Sequence, residues 1–339
     1  MKTKIAILGA GSFGTALAVL ISGYDNCEVT LWSAVCSEIE DIKKNKENTK
    51  LLPGIVIDTQ KIKLSTNISD ITNADIVIFA IASIYVRKVA SQASSYIKKG
   101  AIIINVAKGL EQNSLKRLSE VICDEIPGHS FVALSGPSHA EEIARAVPTT
   151  IVAASIDIGV AEKVQDILNS AILRLYVNED IIGVELGGAL KNIVALASGI
   201  CDGFKLGDNT KAALMTRGIT EIGRLGVKMG AKTQTFAGLS GIGDLIVTCT
   251  SMHSRNRRAG ILIGQGKTAK EALREVGMTV EGFVATDAAY KLATKNNVSM
   301  PITESLYNIL YRNENIKYVL KNLMNRPAKH ESEKFWFSC

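Results

Sequence analysis

The stretch Ile5-Ala-Ile-Leu-Gly9-Ala-Gly11-Ser-Phe-Gly14-Thr-Ala-Leu-Ala18 sets a G-x-G-x-x-G spacing between an apolar, β-branched run and a run of good helix formers. Each glycine has its own reason to be there. Gly9 permits a tight turn, Gly11 lets backbone approach a pyrophosphate, and Gly14 lets the following helix lie close to the sheet. The first N–H groups of that helix, together with its dipole, favour phosphate charge. Such a spacing alone is weak evidence. Here a strand precedes it and a helix follows it, which is the context that dinucleotide binding requires.

Working outward, β-branched runs at 4–8, 28–32, 76–81, 101–106, 131–134, 150–154 and 174–177 alternate with amphipathic stretches. Repetition of strand and helix predicts a largely parallel sheet with helices on both faces. Beyond about residue 179 the strand signal fades, and helical patterns occupy 182–199, 209–229, 268–276 and 286–296. The expected fold is α/β: an N-terminal Rossmann-like, doubly wound sheet over 1–178, then an all-helical C-terminal domain over 179–339. Two domains suit 339 residues at about 150 residues per domain. The second run ends in Trp32-Ser33-Ala34-Val35. An acid there would hold the ribose 2'-hydroxyl of NAD, and an Arg would accept the 2'-phosphate of NADP. Neither is present, so both cofactors stay open.

Composition narrows the partners. The chain is 47% apolar and 21% charged with 6 Pro, which is globular composition. Its net charge of +6 suits anionic metabolites. The Lys and Arg residues are scattered and form no stripe for nucleic acid. Six cysteines (27, 36, 123, 201, 249 and 339) contain no C-x-x-C pair and mostly lie in apolar segments. They predict buried, reduced thiols and no metal site. No segment is expected to insert in a membrane, because the most apolar one carries Glu185, Lys191 and Asn192. A soluble, cytoplasmic protein is expected.

Several polar residues stand in places that ask for a reason. Lys108 and Gly109 fall just past the carboxyl end of a predicted strand, where open sheets bind ligands. Ser138, after Gly136-Pro137, reads as a helix N-cap with acids in the first turn. Gly187-Gly-Ala-Leu-Lys191-Asn192 embeds an ammonium in a small, apolar helix. A buried ammonium is costly unless it has a partner or a job. The two glycines lower helix propensity, which makes sense if another chain segment or a cofactor comes close. Asp244 follows a glycine-rich turn and could cap the next helix. Ser254-Arg255-Asn256 offers hydroxyl, guanidinium and amide groups for clamping a phosphate. Glu281 is an isolated acid in a turn before a helix.

The blocks Gly9 to Gly14, Ser135-Gly-Pro-Ser-His-Ala-Glu, Gly187-Gly-Ala-Leu-Lys-Asn, Gly243-Asp-Leu-Ile-Val-Thr-Cys and His253-Ser-Arg-Asn resemble, in order, those of the bacterial NAD(P)-dependent glycerol-3-phosphate dehydrogenases. The resemblance spans about residues 4–331. It implies an oxidoreductase that moves hydride reversibly between NAD(P)H and dihydroxyacetone phosphate, giving glycerol 3-phosphate for phospholipid synthesis. The first domain would bind the dinucleotide, and the second would bind substrate and carry catalysis. Lys191 would be the general acid/base. Substrate contacts would come from Lys108, Gly136, Ser138, Lys191, Asn192, Asp244, Thr248, Ser254, Arg255 and Asn256. The dinucleotide would meet Gly9, Gly11, Ser12, Phe13, Gly14, Lys108, Ala140, Arg255, Thr279 and Glu281. Departures from the family pattern are Phe13 where Trp is frequent, Ala34-Val35 where His or Arg is frequent, and Ala82-Ser83 where Pro is frequent. The tail Phe335-Trp-Phe-Ser-Cys339 matches no family block.

Two rivals share parts of this pattern: a β-hydroxyacid or ketopantoate-type reductase, and a dinucleotide-binding regulator without chemistry. The Lys191-Asn192 pair and the 254–256 cluster argue against the first, and loss of turnover in Lys191→Ala with cofactor binding intact would exclude the second. The expected partner is a small phosphorylated substrate, without nucleic acid, and the base rate for oligomers points to a homodimer.

Overall fold

The computed structural model describes residues 2–328, 330, 331 and 336. The N-terminal sheet unit contains, in chain order, β1 (Thr3–Leu8), α1 (Ser12–Ile21), β2 (Cys27–Trp32), α2 (Cys36–Asn45), β3 (Ile62–Ser65), β4 (Ile76–Phe79), α3 (Val86–Ala93), β5 (Ile102–Asn105), α4 (Leu118–Glu125), β6 (Phe131–Ser135), α5 (Ala140–Ala144), β7 (Thr149–Ala154), α6 (Ile158–Leu168) and β8 (Leu173–Asn178). The eight strands run in the order β3-β2-β1-β4-β5-β6-β7-β8, parallel except for the β6–β7 pair. Period-two alternation sends Ile5, Ile7, Ile76 and Ile78 into one apolar layer and Ala6, Leu8, Val77 and Phe79 into another. Both faces are covered by helices, so the central strands read as continuous apolar runs. Strand order reverses between β1 and β4, and ligands of open α/β sheets bind at the carboxyl ends beside such a reversal.

Strand β3 was not anticipated. Its sequence Ile-Lys-Leu-Ser is short, and it sits at the sheet edge with Lys63 exposed, so it lacks the dense β-branched signal of buried strands.

Helices make up the second unit: α7 (Ile181–Gly203), α8 (Asp208–Lys228), α9 (Thr233–Phe236), α10 (Asp244–Thr250), α11 (Arg255–Gly264), α12 (Ala269–Val276), α13 (Glu281–Asn296), α14 (Pro301–Tyr311) and α15 (Ile316–Met324). The segment Lys108–Arg117 belongs with these helices. Leu110 joins their apolar core, and the Arg117 guanidinium meets the carboxylate of Glu185 on α7 at 2.7 Å. By length and apolarity α7 could cross a membrane, contrary to the expectation that no segment approaches this, but 89% of its apolar window is buried within the protein. It is the central core helix.

Close crossing of α7 and α11 rests on small residues. Gly199 and Gly203 of α7 meet Gly260 and Gly264 of α11, and a Cβ at any of the four would overlap a backbone carbonyl oxygen of the other helix. Gly187, also on α7, is approached by the Ser240 carbonyl, so at this glycine a chain segment comes close.

The cysteine expectation needs correction. Cys27 and Cys249 are buried, but Cys36 and Cys123 are exposed because they fall on the outer faces of short surface helices. Cys339 and the rest of the tail, apart from Trp336, lie outside the described residues. Trp336 packs half-buried against the helical core.

Candidate active site

The glycine turn has the geometry its spacing predicts. Gly9 has φ +119°, and a Cβ there would press on the Ala80 carbonyl. A Cβ on Gly14 would overlap the Gly9 carbonyl oxygen, whereas one on Gly11 would meet no atom within 4 Å. Helix α1 starts after Gly11 with no side-chain cap and no acid in its first turn, so its N–H groups keep their capacity for an anion. Ser12 and Phe13 form that first turn, and Phe13 leans half-buried on the apolar layer below. The residues present therefore fit a pyrophosphate at this turn.

A further residue supports the turn and was missed from sequence. Asn48 is 2% exposed, and its amide donates to the Ala10 carbonyl (2.8 Å) and to Thr15 Oγ1 (3.1 Å). In a trans peptide the carbonyl and the following N–H point in opposite directions. Holding the Ala10 carbonyl inward therefore turns the Gly11 N–H outward. No periodicity marks Asn48, which lies in a polar loop.

At the end of β6, Gly136 has φ +132°, and Ser138 Oγ donates to its carbonyl at 2.9 Å. Ser138 is not the helix cap expected: α5 begins one residue later, after His139, with Ala140 as its first residue. Tying down the Gly136 carbonyl uses the Ser138 hydroxyl proton instead. Beside them, the buried Ser135 hydroxyl has no hydrogen-bond partner among the described residues.

The helical unit gathers a charged cluster. Lys191, 6% exposed, donates to Asp244 Oδ1 and to Thr248 Oγ1 (2.6 Å). Lys108 donates to the other oxygen of Asp244 at 2.7 Å. Thr248 in turn donates to the Asp244 carbonyl at 2.6 Å, which spends its proton and leaves a lone pair for Lys191. Asp244 and Thr248 stand four apart on α10 and share a face. A π-helical turn, Leu239–Gly243, delivers Asp244. Its carboxylate ties two lysines and does not cap α10, whose N-cap is Gly243. Burial pushes Lys191 down to about 8, against the pull of Asp244 and with help from Lys108. For Asp244 burial acts upward, but the two ammonium groups prevail and hold it below the usual carboxylate range.

Asn192, Asn256 and Gly282 form a relay next to this cluster. Asn256 Nδ2 donates to Asn192 Oδ1 (2.9 Å), and the Gly282 N–H donates to Asn256 Oδ1 (2.8 Å). Asn256 thus locks α7, α11 and α13 together. Ser254 caps α11, accepting from the Arg257 N–H at 3.2 Å. Arg255 is the first residue of α11 and Glu281 the first of α13, both half-buried, and Thr279 lies half-buried just before it. The structure thus groups Gly9, Gly11, Ser12, Phe13, Gly14, Gly136, Ser138 and Ala140 in the sheet unit and the remaining expected site residues in the helical unit.

Comparison with known proteins shows which family the chain resembles along its length. Residues 4–161 match the profile of the NAD-dependent glycerol-3-phosphate dehydrogenase N-terminus, and residues 180–321 that of its C-terminus. Glycerol-3-phosphate dehydrogenase [NAD(P)+] of Clostridium perfringens is 50% identical over 97% of this chain and 99% of its own length. The crystal structure of the Coxiella burnetii glycerol-3-phosphate dehydrogenase superposes with a TM-score of 0.92 at 36% identity, covering 96% of this chain and 99% of that one. The Saccharomyces cerevisiae enzyme gives 0.81 at 25% identity, covering 96% of this chain and 100% of that one. The chain belongs to the NAD-dependent glycerol-3-phosphate dehydrogenase family.

Proposed function

We propose that the chain interconverts dihydroxyacetone phosphate and glycerol 3-phosphate with NAD or NADP, and that Lys191 is its general acid and base. The sheet unit would hold the dinucleotide through the glycine turn, Ser12, Phe13 and Ala140. The helical unit would bind substrate and carry catalysis. When bound, the nicotinamide supplies or takes the hydride.

One observation carries the reading: a buried amine held in a fixed direction by Asp244 and Thr248, with its proton affinity brought down to about 8. A catalytic proton donor works best with a pKa close to the working pH. Lys191 donates its proton to the carbonyl oxygen in reduction and recovers it from the hydroxyl in oxidation. With Asp244 ionised and both lysines protonated the cluster carries one net positive charge, which suits an anionic substrate. Phosphate binding falls to Arg255, with Ser254 setting the start of α11 and Asn256 holding the helix in place. Lys108, Asn192, Gly136 and Ser138 would complete the substrate contacts, and Thr279 and Glu281 those of the cofactor. A cytoplasmic homodimer feeding phospholipid synthesis fits this activity.

Adding dihydroxyacetone phosphate to the chain with NADH, and separately with NADPH, tests the proposal through loss of the reduced nicotinamide absorbance. Turnover is expected with at least one of them, and dihydroxyacetone without phosphate should be a poor substrate because remote binding energy orients the reacting carbon. No oxidation of either dinucleotide would refute the assignment. Asn48→Ala leaves the Ala10 carbonyl only the longer bond from Thr15 Oγ1 (3.3 Å), a loss worth about 0.5–1.5 kcal/mol. Steady-state kinetics should show a dinucleotide KM raised by up to about tenfold with kcat much less affected.

A further inference from the structure

We propose that Glu38, held at the end of β2 by Ser33, makes this chain favour the dinucleotide with a free ribose 2'-hydroxyl over the one with a 2'-phosphate. The inference rests on the dinucleotide reading of the glycine turn and adds the choice of cofactor.

Position comes first. The Gly9 N–H donates to the Trp32 carbonyl at 2.7 Å, so β2 ends directly beside the glycine turn. In sheets of this kind the residues leaving β2 meet the adenosine ribose. Ala34 and Val35 are exposed there and carry no charge, which is why the sequence left the preference open.

The charge arrives from further along the chain. Ser33 is 3% exposed; its Oγ accepts the Val35 N–H (3.0 Å) and donates to Glu38 Oε2 (2.5 Å). A serine fixed on both sides thus folds a carboxylate from the first turn of α2 back to the end of β2. The neighbouring strand repeats the device: the Ser33 N–H donates to the Ser65 carbonyl (3.1 Å), and Ser65 Oγ donates to Asp70 (2.5 Å). Lys63 pairs with Asp70 at 2.8 Å, but no cation pairs with Glu38 among the described residues.

The chemistry then differs for the two ligands. Glu38 Oε1 can accept a hydrogen bond from a ribose 2'-hydroxyl. A 2'-phosphate brings about two negative charges toward that carboxylate, with no Arg at Ala34 or Val35 to receive them. Like charges brought together across a binding surface penalise the wrong partner strongly.

Calorimetric titration with ADP-ribose and with its 2'-phosphorylated form reads this preference without turnover, and kcat/KM for NADH and NADPH reads it in the reaction. The unmodified chain should bind the 2'-hydroxyl ligand about tenfold or more tightly than the 2'-phosphate one. Glu38→Gln should shrink that ratio about tenfold, chiefly by improving the phosphorylated ligand. Ser33→Ala, which keeps every charge but releases the carboxylate, should shrink it in part. Equal binding of the two ligands by the unmodified chain, or a ratio unmoved in Glu38→Gln, overturns the proposal. Binding of neither ligand would instead refute the dinucleotide reading beneath it.

Discussion

Lys191→Ala is expected to lower kcat by about 10² to 10⁴, the usual contribution of a positioned proton donor, while NADH still binds with its original affinity. The two effects separate because the residues that would hold the dinucleotide at the glycine turn, Gly9 to Gly14, belong to the sheet unit, whereas Lys191 is buried in the helical unit. Truncation also removes the amine that bonds Asp244 Oδ1 and Thr248 Oγ1, but Lys108 still neutralises that carboxylate, so the fold should survive. Lys191→Arg should not restore activity, since a guanidinium does not give up its proton at any working pH. Fluorescence titration of NADH beside steady-state kinetics checks both halves. Retained turnover would remove Lys191 from the chemistry, and lost NADH binding would make its role structural.

The same amine fixes the pH dependence. Reduction needs Lys191 protonated, so kcat/KM for dihydroxyacetone phosphate should fall as pH rises through about 8, and oxidation of glycerol 3-phosphate should gain over that range. Stability follows the opposite limb of the linkage. With the folded-state value at about 8 and the ordinary value at 10.5, the unfolded chain binds more protons between them, so Lys191 makes the fold relatively more stable as pH climbs through that window.

What could be read from the sequence was whatever a local rule decides. The glycine turn was legible because each of its glycines answers to a backbone or packing demand that falls within a few residues. Lys191 was legible from cost alone, since an ammonium amid Gly, Ala and Leu on a helix requires a partner. Its partner was not: Asp244 lies 53 residues away and Lys108 a further 83 before Lys191, and only the tertiary fold brings them together. Asp244 and Ser138 both sat where helices start, so a capping role was the local expectation. Long-range bonding overrode it for Asp244, and a one-residue shift of the helix start did so for Ser138. Strand β3 and Asn48 escaped for a related reason. One is an edge element with little apolar signal, and the other does its work through a carbonyl 38 residues earlier.

Asp244→Asn should cost about 3–5 kcal/mol of stability at neutral pH, the usual penalty for breaking a buried ion pair by removing one partner. The substitution keeps size and shape and removes only the charge, so two ammonium groups, one of them almost wholly buried, lose their common counter-ion. Burial would then act on Lys191 unopposed, and its proton affinity would fall further below the present value of about 8. The variant should therefore hold a neutral amine at pH values where reduction needs an ammonium, and the alkaline limb of the kcat/KM profile should move down in pH. The folded-state pKa of Asp244 is depressed, so its stabilisation is present above the ordinary value of 3.8 and is lost as pH falls through the folded-state value. Urea unfolding of both proteins should accordingly show a wide gap near neutrality that closes only in acid. Combining Asp244→Asn with Lys108→Met, which removes one of the two stranded charges, should recover part of the stability but not the activity. A single variant within about 1 kcal/mol of the parent, with its pH profile unmoved, would show that the carboxylate neither pays the cost of burying these amines nor sets the proton affinity of Lys191.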